Sequence, residues 1–273
     1  MPISSKLKIL PTLDHLELTD VVASGKVNTQ PHYHDQLAFA VVTKGHGFFQ
    51  FRDGKHDAGP GAVVNIAPGE AHTSGIPSDN SDMHYNVLYV SKPKVNEVLA
   101  AEEIVAPNTI PFIEPVSGDP AFYKNFVHSY RSFQSELDTL TLESALVDLL
   151  VHLYSTRSTL EMRLPIVDRK PHYLQLIQDF LNDCYQHPVS LKQLSGLVHK
   201  SPSQIIRVFK RHLGITPHAF LLNVRIARAK ELLASKTPIA EVAFRVGFHD
   251  QSHFHRHFKQ ITLLTPGDYL RSA

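Results

Sequence analysis

One stretch decides the fold of the C-terminal half: residues 239–259, with the sequence IAEVAFRVGFHDQSHFHRHFK. Its apolar residues recur at helical spacing on both sides of a turn at Gly247, which predicts two helices joined by a turn. Asp250 can cap the second helix. Phe254 and Phe258 are four residues apart and must both face the core. The stretch is therefore predicted to be a helix–turn–helix unit.

The chain contains an earlier copy of this unit. Arg207–Lys210 followed by Thr216-Pro217 corresponds to Arg256–Lys259 followed by Thr265-Pro266, and each pair lies 49 residues apart. Self-similarity at a fixed offset indicates a repeated structural unit. We therefore predict two helix–turn–helix units within one all-α domain.

Helix-start signals place the boundaries of both units. Ser190–Gln193 has the pattern of a capping box. Ser201-Pro202 offers an N-cap followed by proline at the first helical position, and Thr237-Pro238 starts the later unit. These signals put the two units at residues 190–212 and 238–260.

The second helix of each unit carries a polar stripe opposite its core phenylalanines. Arginine can bind guanine through two hydrogen bonds, serine can hydrogen-bond several bases, and an aliphatic side chain can contact the thymine methyl group. Lysines deeper along the helix suit phosphates better than bases. The predicted DNA-contacting residues are Ser203, Ile206, Arg207, Lys210, Gln251, Ser252, His255, Arg256 and Lys259.

The two halves of the chain differ in charge. Residues 172–273 contain 13 lysines and arginines against 6 aspartates and glutamates, a net charge of +7, whereas residues 1–171 carry −6. A basic half joined to an acidic half indicates a polyanionic partner for the basic half. Double-stranded DNA is that predicted partner.

The repeated unit and the helix between its copies resemble a known family. The matching segments are Ile239–Ala243, Val246–Phe248, Phe254–Lys259 and Thr265-Pro266, with Arg225–Leu233 in the intervening helix. On these motifs, residues 172–271 resemble the DNA-binding domain of the AraC/XylS family of bacterial transcription regulators. The resemblance implies two recognition helices that enter successive major grooves on one face of the duplex.

The chain departs from the family pattern at two turns. His199-Lys200 stands where the family usually has Gly-Leu, and Leu263 stands where the family has glycine before the last Thr-Pro. The first copy keeps its glycine, Gly214. We expect strain or an altered angle in the first turn.

The N-terminal half is predicted to be β. Short apolar runs are separated by glycine and proline turn signals over residues 15–90, which favours a barrel or sandwich. The segments His32–His34 and Gly61–His72 resemble the cupin barrel, the ligand-binding domain of many AraC-family proteins. The resemblance implies a small-molecule pocket. Its predicted effector-binding residues are His32, His34, His72 and Tyr85, with Tyr85 rather than His84 facing inward.

A metal site is the alternative role for the three histidines, since imidazoles are common metal ligands. Metal-binding cupins usually add a glutamate four to five residues after the His-x-His pair. Ala38 and Phe39 occupy those positions. We therefore expect neither metal nor cofactor. The chain also lacks a nucleophile-elbow or phosphate-loop motif, which disfavours the alternative of a cupin enzyme with a DNA-binding tail.

A helical segment follows the predicted barrel. Leu142, Leu146, Leu149 and Leu153 recur at spacings of four and three, so they form one apolar stripe, here called the leucine stripe. It can pack on the barrel or pair with its copy in a second chain, and we expect it to form a homodimer.

The predicted architecture is α+β with two domains. Residues 1–157 form a cupin-like effector-binding and dimerisation domain, 158–171 a linker, and 172–273 the DNA-binding domain. With one cysteine, no long apolar run and no signal-peptide pattern, we expect a cytoplasmic protein that is not membrane-associated.

The function predicted from these features is effector-controlled, sequence-specific transcription regulation without enzymatic activity. RNA polymerase is an expected partner. The alternative is a constitutive regulator whose barrel serves only for dimerisation.

Overall fold

The computed structural model describes residues 3–9, 16–78, 81–102, 104, 114–135, 138–157 and 170–272. They fall into two compact units. The first draws on residues 1–28, 35–69 and 74–165, and the second on 29–34, 70–73 and 166–273. Each unit is described by itself.

The first unit is built on two antiparallel β-sheets. The six-stranded sheet has the order β1-β2-β9-β4-β7-β10 and the four-stranded sheet β3-β8-β5-β6. The strands are β1 Ile3–Ile9, β2 Leu16–Ser24, β3 Val27–Asn28, β4 Leu37–Gly45, β5 Gly47–Gln50, β6 Lys55–Ala58, β7 Val63–Ile66, β8 Thr73–Ile76, β9 Asp82–Val90 and β10 Val116–Ser117. This is the β-rich, cupin-like part that the sequence predicted.

The central strand β4 is buried on both of its faces. Leu37, Phe39 and Val41 belong to the apolar cluster that the helices of this unit also join. Because side chains alternate along a strand, Ala38 and Ala40 point to the opposite face. They too are buried, so the six-stranded sheet is covered on both sides.

The described residues of the first unit also form the helices α1 Lys92–Ala101, α2 Pro120–Gln134 and α3 Thr139–Arg157. Asp119 caps α2, with its side chain accepting hydrogen bonds from the backbone N–H groups of Ala121 and Phe122. Phe122 and Phe126 on α2 are fully buried in the same cluster as Phe39.

The structure corrects the expectation that the leucine stripe dimerises. All four of its leucines lie on α3 and are at most 2% exposed. They pack in the unit's own core with α1, α2 and the six-stranded sheet. The sequence shows an apolar helix face but not what covers it, and here the same chain does so.

From residue 170 to 272 the second unit consists of helices joined by short loops, and its two N-terminal segments are 29–34 and 70–73. Its helices are α4 His172–Asp183, α5 Leu191–Val198, α6 Pro202–Leu213, α7 Pro217–Ala234, α8 Ile239–Arg245, α9 Gln251–Thr262 and α10 Pro266–Ser272. The pairs α5–α6 and α8–α9 are the two predicted helix–turn–helix units, and α7 joins them. Residues 158–169 of the predicted linker lie outside the described residues.

Most predicted helix caps are present. Ser190 and Gln193 form a reciprocal capping box at α5, and Ser201 and Gln204 form another at α6. Thr216 caps α7 through the backbone N–H of Ala219. One start differs from the expectation: α8 begins after Pro238 without a side-chain cap.

Among the described helices, none has the length and apolar content that a membrane crossing would require.

Candidate nucleic-acid interface

Helix α6 is oriented by its two core residues. Ile205 and Phe209 are completely buried and pack with α4, α5 and α7. The opposite side presents Ser203, Arg207 and Lys210, all exposed. Ile206, the fourth predicted contact on this helix, is half-buried at the edge of that side.

Helix α9 repeats this arrangement. Phe254 and Phe258 are completely buried, while Asp250 caps the helix by accepting a 2.7 Å hydrogen bond from the backbone N–H of His253. Of the predicted contacts, the exposed ones are Gln251, Ser252 and Arg256, and the half-buried ones are His255 and Lys259. Gln251 and His255 lie one turn apart with their side-chain nitrogens 3.4 Å apart.

Arg207 and Arg256 occupy equivalent places on the two helices. Each lies two residues before a buried phenylalanine and is itself exposed. Within the described ranges, neither guanidinium forms an ion pair with a carboxylate. Their hydrogen-bond donors are therefore free to meet an anion or a base edge.

Three of the described helix ends carry left-handed backbone at residues that are not glycine, one of them at Lys236 after α7, with φ 61°. His199, at the end of α5, has φ 50° and ψ 42°, and Leu263, at the end of α9, has φ 63°. The strain expected in the first turn is located at His199.

Arg225 is a functional candidate that the sequence reading did not single out. It lies on α7, is only 9% exposed, and donates hydrogen bonds to backbone carbonyls of the α4–α5 loop. A signal was present: Arg225 falls between Leu222 and Ala229 at helical spacing, on the buried side of α7. A cation in an apolar position indicates a buried partner.

A histidine pair lies on the second recognition helix, α9. The Nε2 atoms of His253 and His257 are 2.8 Å apart, and both rings contact Phe248. Burial, and then the neighbouring His253, Arg256 and His218, lowers the pKa of His257 to about 4. His257 is therefore neutral at physiological pH.

The three N-terminal histidines lie together in the second unit. His32 and His72 exchange two backbone hydrogen bonds, with N···O distances of 3.1 and 2.9 Å. The ring centroid of His72 lies 4.3 Å from that of His32 and 5.2 Å from that of His34. Burial, with the two neighbouring imidazoles, holds the pKa of His72 well below its usual value. The structure thus brings together three of the four predicted effector-binding residues.

Tyr85, the fourth, lies in the first unit. Its ring is 5% exposed and meets Phe49 edge-on, with centroids 5.8 Å apart, while His84 is half-buried. Burial raises the pKa of Tyr85 to about 12, partly offset by a hydrogen bond with Ser74. Tyr85 is the inward-facing member of the pair. Among the described residues, no group of three or more histidine, cysteine or carboxylate side chains is placed to hold a metal ion.

A pocket of about 710 Å³ opens on the second unit. The loop after α4, α7 and α8 form its walls. Its lining residues are Tyr185, Gln186, His187, Arg228, Glu231, Leu232, Phe244 and Arg245. Phe244 is 65% exposed, so the pocket has an aromatic rim. It lies between the loop that leads into the first helix–turn–helix unit and α8 of the second.

Comparison with known protein families gives two matches. The model of the AraC-like ligand binding domain matches residues 25–150, and a model of the helix-turn-helix domain matches residues 194–272.

Two bacterial relatives match over most of both chains, and a third matches over a shorter part. The HTH-type transcriptional regulator YbfI of Bacillus subtilis is 27% identical over 226 residues, which cover 81% of this chain and 80% of YbfI. YdeC of the same organism is 24% identical, covering 87% and 84%. The transcriptional regulatory protein HptR of Staphylococcus aureus is 33% identical over 39% of this chain and 42% of HptR.

Solved structures share the fold. Apo ToxT from Vibrio cholerae aligns with a TM-score of 0.60 at 14% identity, over all of this chain and 98% of ToxT. A ToxT structure with bound unsaturated fatty acid aligns with a TM-score of 0.52 at 12% identity, over 98% and 94%. The fold of ToxT is thus the fold of this chain.

Proposed function

The chain belongs to the AraC-type family of transcription regulators, with a helix–turn–helix DNA-binding domain and an N-terminal ligand-binding domain, and from this premise we propose how it contacts DNA. Helices α6 and α9 enter two major-groove segments of one site. Arg207 and Arg256 bind bases there. Lys210 and Lys259 bind the flanking phosphates. The remaining predicted contacts are Ser203, Ile206, Gln251, Ser252 and His255.

One observation carries the proposal: Arg207 and Arg256 are both exposed, at the same place relative to a buried phenylalanine on equivalent helices. A guanidinium in a major groove binds O6 and N7 of guanine together. Because both helices face the same side of the duplex, the two segments lie about 10 bp apart, one turn of DNA.

The test uses the full chain and a duplex that it selects from a random-sequence pool. Arg256→Ala should weaken binding to this duplex by about 1–3 kcal/mol. Replacing the base pair that Arg256 contacts should then matter for the parent protein and not for the variant. Lys259→Ala is the matched control on the same helix and should weaken selected and random duplexes alike. If Arg256→Ala also weakens both equally, Arg256 binds phosphate and the proposal is wrong.

We further propose that His32, His34, His72 and Tyr85 contribute to binding a small-molecule effector. The contact of three imidazoles supports a site that recognises polar groups, since each ring offers a donor or an acceptor. A ligand that binds only the native state raises the melting temperature. A metabolite screen by thermal shift should yield a hit whose shift is lost in His34→Ala and His72→Ala. Hits that shift the variants as much as the parent would contradict this assignment.

The other proposed properties concern the whole assembly. We propose a cytoplasmic homodimer without enzymatic activity, which acts through RNA polymerase. Effector binding must then differ in affinity between the DNA-competent and DNA-incompetent states, because a ligand shifts an equilibrium only by its differential affinity.

A further inference from the structure

Three parts of the second unit meet at Arg225. The first is the loop between α4 and α5, residues 184–190, which leads directly into the first helix–turn–helix unit. The second is α7, which carries Arg225. The third is the turn between α8 and α9, residues 246–250, which leads into the second recognition helix. The side chain of Arg225 contacts both the loop and the turn.

On the loop side, the contacts are two hydrogen bonds. Nε of Arg225 donates to the carbonyl oxygen of Tyr185 at 2.8 Å, and Nη2 donates to that of His187 at 3.0 Å. The fixed fork of a guanidinium allows it to hold two carbonyls at once, which a lysine ammonium on a flexible stem does less well. The loop is thereby held against α7 at two points.

On the turn side, the contact is with an aromatic ring. The guanidinium carbon lies 5.6 Å from the ring centroid of Phe248, within cation–π range. Phe248 is 3% exposed and packs on Phe254, the core residue of α9, with centroids 5.4 Å apart. Arg225 is therefore linked to the second recognition helix through the ring of Phe248, which contacts both Arg225 and Phe254.

The loop and the turn also touch each other directly. Gly247 has φ 84°, and a Cβ atom built on it would lie 2.7 Å from the carbonyl oxygens of Tyr185 and Gln186. Only glycine permits this approach and this backbone conformation without a shift of the neighbours. The loop that leads into the first helix–turn–helix unit and the turn inside the second thus meet backbone to backbone beside Arg225.

The surroundings of Arg225 favour a positive charge. Its hydrogen-bond acceptors are carbonyl oxygens that follow the C-terminal end of α4, where the helix dipole is negative. Burial lowers the pKa of Arg225 from its ordinary value, yet an arginine remains charged in proteins. Removing the guanidinium would leave two carbonyls without this donor.

We infer that Arg225 is a positioning residue: it fixes the arrangement of the two helix–turn–helix units and so determines the spacing between the two DNA segments that the protein binds. The inference rests on the proposed function, in which both recognition helices bind one site. Arg225 itself touches no DNA in this scheme.

The experiment measures spacing preference with the full chain. The duplex selected by the parent protein is remade with a base pair inserted or deleted between its two segments, and affinities are measured by fluorescence anisotropy. The parent should prefer its own spacing by about tenfold, since a misplaced helix loses at least one base contact. Arg225→Lys should reduce this preference to roughly two- to threefold, because the ammonium cannot keep both carbonyls. Arg271→Lys is the matched control: Arg271 is exposed on α10 and pairs with Asp268 of its own helix.

A second variant tests the same contact from the other side. Gly247→Ala should push the α4–α5 loop away from the α8–α9 turn, because the added Cβ atom would clash with the carbonyl oxygens of that loop. The variant should therefore also show a broader or displaced preference for the spacing between the two DNA segments. An equal loss of affinity at every spacing in the Arg225 variant would overturn the inference, as would a preserved preference in a folded protein. Failure of both variants to fold would also overturn it, because the contact would then serve the fold. If the parent itself shows no spacing preference, the two-segment proposal fails instead.

Discussion

Gly214 and Leu263 end the two equivalent recognition helices in the same left-handed conformation, with φ 73° and 63°. Their backbone N–H groups donate to the equivalent residues Lys210 and Lys259. Both copies of the repeat thus keep the left-handed backbone at this position, although the second copy has leucine where the first has glycine. A residue with a Cβ atom pays about 1–2 kcal/mol for this conformation. His199, at the end of α5, also has left-handed backbone. Because its side chain is exposed, a substitution there changes the backbone strain with little change in packing.

His199→Gly should raise the free energy of unfolding of the second unit by about 1 kcal/mol. Amide hydrogen exchange of α5 and α6 in the full chain would measure this gain. His199→Ala is the control, because it retains the Cβ atom that causes the strain. A gain in the alanine variant equal to that in the glycine variant would show that the imidazole, not the backbone, is responsible.

Acid should destabilise the second unit through His257. The folded pKa of His257 is lowered to about 4, by burial first and then by His253 and Arg256 on α9 and His218 on α7. An unfolded chain binds this proton near the ordinary value of about 6.5. The stabilising contribution is therefore complete above about pH 6.5 and is lost as the pH falls towards 4.

Unfolding measured between these pH values should show a smaller loss of stability in His257→Gln than in the parent. His249→Gln is the matched control, since the side chain of His249 is 96% exposed. If both variants follow the parent's curve, other groups govern the acid response.

Salt dependence should separate phosphate contacts from base contacts. Lys210→Ala should lower the slope of log K against log salt by about 1, because one fewer phosphate-bound counterion is released. The measurement is a salt titration of binding to random and selected duplexes. Lys192→Ala on α5 is a control outside the predicted contacts. An unchanged slope in Lys210→Ala would remove Lys210 from the phosphate-contacting set.

Dimerisation, if it involves α3, must use its outward face. Leu140 is 73% exposed there, and Val151 follows three turns later, half-buried. Leu140→Glu should shift the sedimentation equilibrium towards monomer, since a charge resists burial in an apolar contact. Asp148→Asn, at an exposed position of the same helix, is the control. An unaltered equilibrium in Leu140→Glu would place the dimer contact elsewhere.

Local signals made the helical half predictable from the sequence. Caps such as Ser190 and Ser201, and the spacing of Ile205 and Phe209, act within a few residues, so each can be recognised without knowing the rest of the fold. The orientation of Tyr85 followed from strand alternation for the same reason.

What escaped prediction depends on partners distant in sequence. The acceptors of Arg225 are backbone carbonyls about 40 residues earlier, and a carbonyl leaves no mark on the sequence. The leucine stripe was recognisable, but its cover comes from α2 and the six-stranded sheet. Side-chain pattern shows that a face is apolar, whereas tertiary structure alone decides what covers it.

The pocket between Tyr185 and Phe244 is a suitable place for a fluorescent probe of movement within the DNA-binding domain. Tyr185 belongs to the loop that leads into the first helix–turn–helix unit, and Phe244 belongs to α8 of the second helix–turn–helix unit. A movement of one helix–turn–helix unit relative to the other would therefore change the space between these two side chains. The natural chain contains no tryptophan. A Phe244→Trp variant would therefore carry a single indole at this rim, and its emission would report the movement in real time as DNA or effector is added.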